Sequence, residues 1–584
     1  MQNQWIFNSL TPEQECYQKT ISEQLPVSPT LAKLLVQRGV TTLKEAKEFF
    51  EPQLHQLHDP FLMKDMDRAV KRLEKALQQK ENILIYGDYD VDGTTAVALV
   101  YKFLQPLVAS QQCIDYYIPD RYKEGYGISK NGVDYAKENN ITLVIALDCG
   151  IKAIEMVDYA NELGIDFIIC DHHTTDAELP RATAVLDAKR ADCTYPYEHL
   201  SGCGVGFKFM QAFAQSNGIP ESLLIPLLDL VAVSIAADIV PITGENRILA
   251  HYGIKRLNEM PSCGLKAIMK VCKLKPSKDK KDGSQITMND IVFKIGPRIN
   301  ASGRMESGKD VVKLLISNDP TQSKLLSEHI DGNNNRRRDL DQETTKQAID
   351  SISEETIKKN RSLVVFNPEW HKGIVGIVAS RLTEKFHKPT IVLTESNGII
   401  SGSARSVHGF DIYSAIDSCR DMLVSFGGHI YAAGLSMTSE NLENFKAKFE
   451  EYVVNNIENA QLTPQLKIDS IIQFSEITPN FIDILKRFEP FGPGNSKPHF
   501  CTTQIIDKRN NSRKVGKENN HLKLNVSDNS TEFEMEGIAF NMAEHHTSLK
   551  RLVPLDIVYT IEENYFNGKS TTQILAKDMR ETQK

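Results

Sequence analysis

Ile83-Leu84-Ile85-Tyr86-Gly87-Asp88-Tyr89-Asp90-Val91-Asp92-Gly93-Thr94-Thr95-Ala96-Val97-Ala98-Leu99-Val100 decides the fold. A short apolar run predicts a buried strand, Gly87 ends it, and an apolar helix-compatible segment starts at Thr94. Between them three carboxylates share one loop at the strand's C-terminal end, the edge where open α/β sheets place their ligands. Like charge that crowded is unstable without a cation. D-x-D-x-D-G also opens an EF-hand loop, but that loop lies between helices and carries Glu at its twelfth position. Here position twelve is Leu99 and a strand precedes, so metal binding is the expectation, against a solvated acidic turn.

The pattern repeats along the chain. Thr142–Leu147 (TLVIAL) ends at Asp148-Cys149-Gly150, and Asp166–Cys170 (DFIIC) ends at Asp171-His172-His173. Buried charge is costly unless paired or coordinated, so core packing explains this poorly. His172 and His173 offer imidazole nitrogens to metal while Asp171 fixes a tautomer from behind. Asp238, after the apolar VAVSIAA, closes the set; Asp229 in the same segment is read as a helix cap or buried hydrogen-bonding group, against a ligand role. A set this rich in Asp and His exceeds what one zinc takes and favours two magnesium or manganese ions. Such a pair, about 4 Å apart, activates water and neutralises a leaving oxygen. The expected reaction is phosphoester or phosphoanhydride hydrolysis.

Around this core, 584 residues with 41% hydrophobic and 25% charged composition predict several globular domains. The ten cysteines are scattered without a C-x-x-C pair, as expected of free thiols in a reducing cytoplasm. The N-terminus has no basic segment followed by an apolar run, which predicts no secretory signal. Leu223–Ile242 is long enough to span a bilayer, but Asp229, Asp238, Pro226 and Pro241 argue for a buried helix and strand instead. Net charge is −8, yet basic stretches occur at Lys266–Lys281, Arg336–Arg338 and Lys508–Lys523. Each reads as a phosphate contact or as a solvated face.

The apolar pattern divides the chain into a helical, irregular segment at 1–60, an α/β domain with a parallel sheet at 61–317, a polar connecting helix at 318–360, a second and smaller α/β domain at 361–459, and a β-barrel at 464–584.

These residues resemble the DHH phosphoesterases, a family named for the tripeptide found here as Asp171-His172-His173. The resemblance runs from about residue 60 to the C-terminus and is to the bacterial single-stranded-DNA exonucleases of that family. It is carried by Gly87–Gly93, Arg121 with Glu124-Gly125-Tyr126-Gly127, Leu147–Gly150, Asp238 in AADIVP, and Pro297-Arg298 with Asn300–Arg304. Trp370-His371 with Gly373 and Gly376–Arg381, and Gly427-Gly428-His429 with Ala432-Ala433-Gly434, extend it. Where the family often shows Asn-Pro after the DHH strand, this chain has Asp187-Ala188, which bears on the loop and not on the metal set.

The resemblance implies a metal shell of Asp90, Asp92, Asp148, His172, His173 and Asp238, with Asp88 and Asp171 in the same catalytic constellation. It identifies 361–459 as the DHH-associated domain, a substrate grip. There Gly427-Gly428-His429 reads as a phosphate cradle or a tight turn, while Ser403 and Arg405 offer a hydroxyl and a guanidinium to phosphate. Arg298 and Arg304 line a cleft or form surface salt bridges, Asn300 shares their motif, and His371 contacts substrate or packs on Trp370. The turn-rich Phe488–Asn495 leads into an oligonucleotide-binding (OB) barrel, whose expected nucleic-acid contacts are Lys508, Arg509, Arg513, Lys514 and Lys517. Phe533, Phe540, Tyr559 and Tyr565 are stacking candidates there, weighed against core packing.

By the same resemblance the activity is 5′-to-3′ exonucleolytic hydrolysis of single-stranded DNA in recombination and repair, with Mn2+ or Mg2+. A RecQ-type helicase and a single-strand-binding protein are the implied partners of a monomer. An oligoribonuclease or cyclic-dinucleotide phosphodiesterase, and a non-catalytic replication or repair scaffold, stand as the alternatives.

Overall fold

The computed structural model describes residues 3–582 apart from 110–111, 277–284, 397, 529, 531–533 and 567–568. Its contacts fall into two units, Phe7–Asp331 with Ile468–Lys584, and Met1–Ile6 with Gly332–Lys467.

In the first unit, β1 (Asn82–Gly87), β2 (Ile114–Tyr117), β3 (Ile141–Leu147), β4 (Asp166–Cys170) and β5 (Ala184–Leu186) form an all-parallel sheet in the order β2-β1-β3-β4-β5. The strands read as apolar runs because both faces are covered. Ile83, Ile85, Leu143 and Ile145 enter one core, while Leu84, Tyr86, Val144 and Ala146 enter another on the opposite face. Strand order reverses direction between β1 and β3, which opens a crevice at their carboxyl ends. The three carboxylates after β1 and Asp148 after β3 are delivered to that crevice.

Helices α1 (Val91–Leu104), α2 (Gly202–Ser216), α3 (Leu228–Ala237) and α4 (Gly244–Glu259) pack on the first face. Leu223–Ile242 contains short helical turns and α3 but no strand, which corrects the expected helix-and-strand pair. A short apolar run has no period with which to tell a fully buried helix from a strand. Among the described residues no helix is long and apolar enough to cross a membrane.

The chain passes between units within α5 (Pro320–Asp350), where the polar connector was expected. The second unit holds β6 (Leu363–Phe366), α6 (Val375–Phe386), β7 (Thr390–Ser396), β8 (Ile399–Arg405), β9 (Ser425–His429) and β10 (Ala432–Met437). Its sheet runs β9-β10-β8-β7-β6, and only β6 and β7 are parallel.

Back in the first unit, the C-terminal strands are β11 (Ser470–Ile471), β12 (Phe500–Ile505), β13 (Arg513–Val515), β14 (His521–Val526), β15 (Met535–Ala539), β16 (Leu555–Phe566) and β17 (Lys569–Glu581). They form one sheet, β11-β12-β16-β17-β15-β14-β13. Ile506 and Ser527 exchange two backbone hydrogen bonds at 2.9 Å, joining the ends of β12 and β14 and closing five strands into a barrel. Among the described residues of 1–60, expected as a segment of their own, no separate core cluster forms. Leu31, Leu34 and Leu35 pack with Phe500, Leu524 and Tyr559 of the barrel in one cluster.

Candidate metal centre

Asp90 N-caps α1, its Oδ1 accepting the Gly93 amide at 3.1 Å, so helix start and acidic loop are one structure. A Cβ at Gly93 would lie 2.5 Å from the Asp88 carbonyl oxygen, which restricts the position to glycine. Asn300 supports the same loop: its Oδ1 accepts the Val91 amide at 3.2 Å.

Asp92 is buried, and both of its oxygens are occupied by the start of α2. The Gly202 and Cys203 amides each donate at 2.7 Å, and the Ser234 hydroxyl donates to Oδ1 at 2.7 Å. A helix N-terminus thus aims this carboxylate. Ser201–Cys203 and Ser234 went unnoticed in the sequence, although a glycine-rich helix start, SGCGVG, is the signal that marks them.

Asp148 sits in the left-handed region at φ 59°, strain that a non-glycine residue carries where its surroundings impose it. Its Oδ1 lies 3.2 Å from His172 Nε2, which is also 3.7 Å from Asp92 Oδ2 and 3.6 Å from Asp238 Oδ2. Among the described residues, neither nitrogen of the buried His172 ring has a hydrogen-bond partner, and neither do the buried oxygens Asp88 Oδ1 and Asp148 Oδ1. Leaving such atoms unsatisfied costs roughly 1–3 kcal/mol each. Three groups at this sheet edge have ligand atoms mutually within 4.8 Å: Asp88, Asp90 and Asp148; Asp148, His172 and His173; Asp92, His172 and Asp238; a fourth, Glu306, Asp310 and His329, includes two exposed residues and lies elsewhere. The three share Asp148 and His172, as a paired site requires, and the donor set of carboxylates with imidazole fits manganese or magnesium.

The electrostatics agree with that fit. Burial first, then the neighbouring carboxylates, hold Asp88, Asp90 and Asp148 above the usual carboxylate range and push Asp238 up to about 8. The cluster is short of positive charge.

Asp171 differs in belonging to none of the three groups. Like Asp92 it is hydrogen-bonded at both oxygens: Oδ2 accepts the Ile151 amide at 2.9 Å, and Oδ1 accepts His173 Nδ1 and the His172 amide at 2.7 Å each. Burial opposes its ionisation, but the hydrogen bond and charge of His173 hold its carboxyl below the usual range. Asp229 is equally removed, buried with Oδ2 accepting the Ser262 amide at 2.7 Å, as its helical, hydrogen-bonding reading expects. Two further residues surround the site: Tyr126 Oη donates to the Asp148 carbonyl at 3.2 Å, and Lys189 Nζ donates to the His172 carbonyl.

The remaining candidates separate. Arg298 Nε donates to Asp331 at 2.8 Å, the salt-bridge alternative, and the Arg304 carbonyl accepts the Tyr122 hydroxyl at 2.5 Å. In the second unit, Arg405 donates to Ser403 Oγ at 2.7 Å and has no carboxylate at ion-pair distance among the described residues; burial alone lowers its pKa. His371 is exposed, with Nδ1 accepting the Gly373 amide at 3.0 Å. Gly427, Gly428 and His429 lie in the edge strand β9, not in a turn, because their backbone pairs in register with Ala432–Gly434. On the barrel, Lys508, Arg509, Arg513, Lys514 and Lys517 are all exposed, Arg513 and Lys514 on the edge strand β13. Of the aromatics, Phe540 is exposed and Tyr559 is core, while Phe533 and the Tyr565 side chain lie outside the described residues.

A parallel sheet that delivers Asp, Asp-His-His and an acidic loop to its switch point defines a DHH domain, and the family description "DHH family, N-terminal domain" matches residues 82–235. "DHHA1 domain" matches 359–455 and "RecJ OB domain" matches 468–578. The single-stranded-DNA-specific exonuclease RecJ of Bacillus subtilis is 35% identical over 562 residues, covering 96% of this chain and 69% of the relative. That of Dickeya dadantii is 32% identical over 584 residues, covering 96% and 98%. RecJ from Thermus thermophilus, crystallised in complex with Mn2+, superposes with a TM-score of 0.83 at 25% identity over 99% of this chain and 80% of its own. The chain belongs to the RecJ family of single-stranded-DNA-specific exonucleases.

Proposed function

We propose that this chain hydrolyses single-stranded DNA from its 5′ end to 5′-mononucleotides, using manganese or magnesium held by Asp88, Asp90, Asp92, Asp148, His172, His173 and Asp238. The observation that carries the reading is the buried His172 ring, unpartnered at both nitrogens among the described residues and surrounded by Asp92, Asp148 and Asp238. A bound metal pair supplies Lewis acidity and a water acidic enough to attack phosphorus. The chain's own part is positioning. Asp171 accepts from His173 Nδ1 and so leaves Nε2 as the lone-pair nitrogen. The α2 N-terminus directs Asp92, and Asn300 keeps the acidic loop in place.

The second unit's substrate contacts are Ser403, Arg405, His371 and the Gly427-Gly428-His429 backbone; Arg304 is a substrate contact of the first. A phosphate gives the half-buried Arg405, which has no carboxylate partner among the described residues, a counter-charge. Arg298 acts through its ion pair with Asp331 and Asn300 through the loop. The exposed Lys508, Arg509, Arg513, Lys514 and Lys517 track the strand's backbone across the barrel. The setting is cytoplasmic recombination and repair, as a monomer beside a RecQ-type helicase and a single-strand-binding protein.

The test is digestion of an oligonucleotide labelled at its 5′ or its 3′ end, with Mn2+ or Mg2+, beside an Asp90→Ala/His172→Ala control. Immediate release of 5′ label as mononucleotide, progressive shortening of the 3′-labelled strand and an inert control are expected. Cleavage confined to dinucleotides or short RNA would replace the DNA reading; no cleavage of any substrate would favour a scaffold.

A further inference from the structure

The turn Phe488–Asn495 (FEPFGPGN) precedes the barrel strand β12, and two arginines hold it through neutral acceptors. Arg38 donates from Nε to Asn495 Oδ1 at 2.6 Å and from Nη2 to the Ser496 carbonyl at 2.7 Å. Arg247, buried, donates to the Phe488 carbonyl at 2.9 Å and to the Arg487 and Phe49 carbonyls at 3.0 Å each. Inside the turn, Asn495 Nδ2 donates to the Phe488 and Pro490 carbonyls at 2.7 and 2.9 Å, and Gly492 and Asn495 exchange two backbone bonds at 3.0 Å. Its shape is therefore fixed from within and without.

Besides Arg247 of α4, this rigid turn meets the catalytic domain at the short segment that follows Asp238. The Ile242 amide donates to the Pro493 carbonyl at 2.7 Å, and a Cβ at Gly492 would stand 2.5 Å from Ile242 Cγ1. Ile242 is 1% exposed, so it has nowhere to yield. It follows Asp238 by four residues, with Ile239 between them held at φ 59°. The Asp238 carboxylate thus hangs between the end of α3 and a segment docked on the turn.

We propose that the Phe488–Asn495 turn is a positioning element for the metal centre: by docking on Ile242 it sets where the Asp238 carboxylate sits, so that the barrel and this ligand form one mechanical piece. The inference rests on reading Asp238 as a metal-holding residue. Groups that orient a ligand from outside typically govern metal affinity by about 10–100-fold.

The test is a size swap in the full chain, with Mn2+ binding measured by calorimetry without DNA, single-strand affinity measured in EDTA, and kcat separated from KM. Gly492→Ala pushes Ile242, and Ile242→Ala leaves the turn without its seat. Each is expected to weaken Mn2+ binding by about tenfold and lower kcat while single-strand affinity in EDTA is unchanged. In the double variant the new methyl faces the remaining Cβ, 3.6 Å away in the present geometry, so Mn2+ affinity is expected to recover. Wild-type Mn2+ affinity in either single variant, or no recovery in the double, overturns the proposal. Should Gly492→Ala fail to fold, Ile242→Ala alone decides. Asp238→Ala separates the underlying reading: wild-type Mn2+ binding there removes Asp238 from the metal set whatever the turn does.

Discussion

Asp92 and Gly202 meet through a 2.7 Å hydrogen bond from the Gly202 amide to Asp92 Oδ2, with the Cys203 amide on the other oxygen. A carboxylate is the only side-chain group of this size that accepts on both oxygens. Asp92→Asn turns an NH2 toward a backbone N–H. We expect Mn2+ affinity to fall by about 10–100-fold, read by calorimetry, with a lowered melting temperature.

Gly202 has a second contact. A Cβ there would lie 2.6 Å from Asp148 Cβ and 2.7 Å from its Oδ1. Gly202→Ala is expected to displace Asp148, costing about 1–3 kcal/mol of stability and lowering kcat far more than single-strand affinity. An unchanged kcat would show that Asp148 has room to move.

Metal removal should destabilise as well as inactivate. Buried carboxylates that repel one another in the empty cluster are relieved by a cation, so Mn2+ is expected to raise the melting temperature of EDTA-treated protein. At a hundredfold excess over Kd the gain is about 2.7 kcal/mol. The Asp90→Ala/His172→Ala control should show little of it.

Asp187, at the end of β5, is buried, with Oδ1 accepting the Lys189 amide at 2.7 Å and Oδ2 unpartnered among the described residues. Burial first, with the charge of Asp171 adding, raises its carboxyl to about 7, against the pull of the Lys189 amide. Between the unfolded value and about 7 the folded chain holds a proton that the unfolded chain has lost, so stability falls as pH rises through that window. Asp187→Asn abolishes this slope. In EDTA the variant's melting temperature should exceed wild type by more near pH 8 than near pH 5; parallel curves would contradict it.

Arg513 and Lys514 occupy the edge strand of the barrel. Replacing both with alanine should weaken single-strand binding at every sequence and reduce the slope of log K against log salt by about 1.4, or about 0.7 per phosphate contact. An unchanged slope would make the pair a solvated face.

Much of the centre was legible from local chemistry. Strand, acidic loop and helix follow one another at Ile83–Val100, and the same alternation brings Asp148 and Asp171-His172-His173 to one sheet edge. A parallel sheet aligns the carboxyl ends of its strands, so residues that directly follow strands meet without any knowledge of packing. Asp171 stands apart from the residues proposed to hold metal by its place outside the ligand-atom groups, which its position in the Asp-His-His tripeptide does not reveal. Asp238 was placed after an apolar run that proved to be α3, since full burial erases the period that distinguishes helix from strand.

What the sequence by itself determined is whatever depends on neighbours in the chain: the strand ends, the caps, the acidic loop and the donor types that select the metal. The tertiary structure alone decided the pairing of Asp92 with the α2 N-terminus, 110 residues away, and the docking of Pro493 on Ile242. It also decided that Ile21, Leu31, Leu34, Leu35 and Ala46 share their core with the barrel. These are contacts between surfaces that each look ordinary alone. Their partners are fixed by packing and by the need of buried donors and acceptors for one another, which no local pattern records.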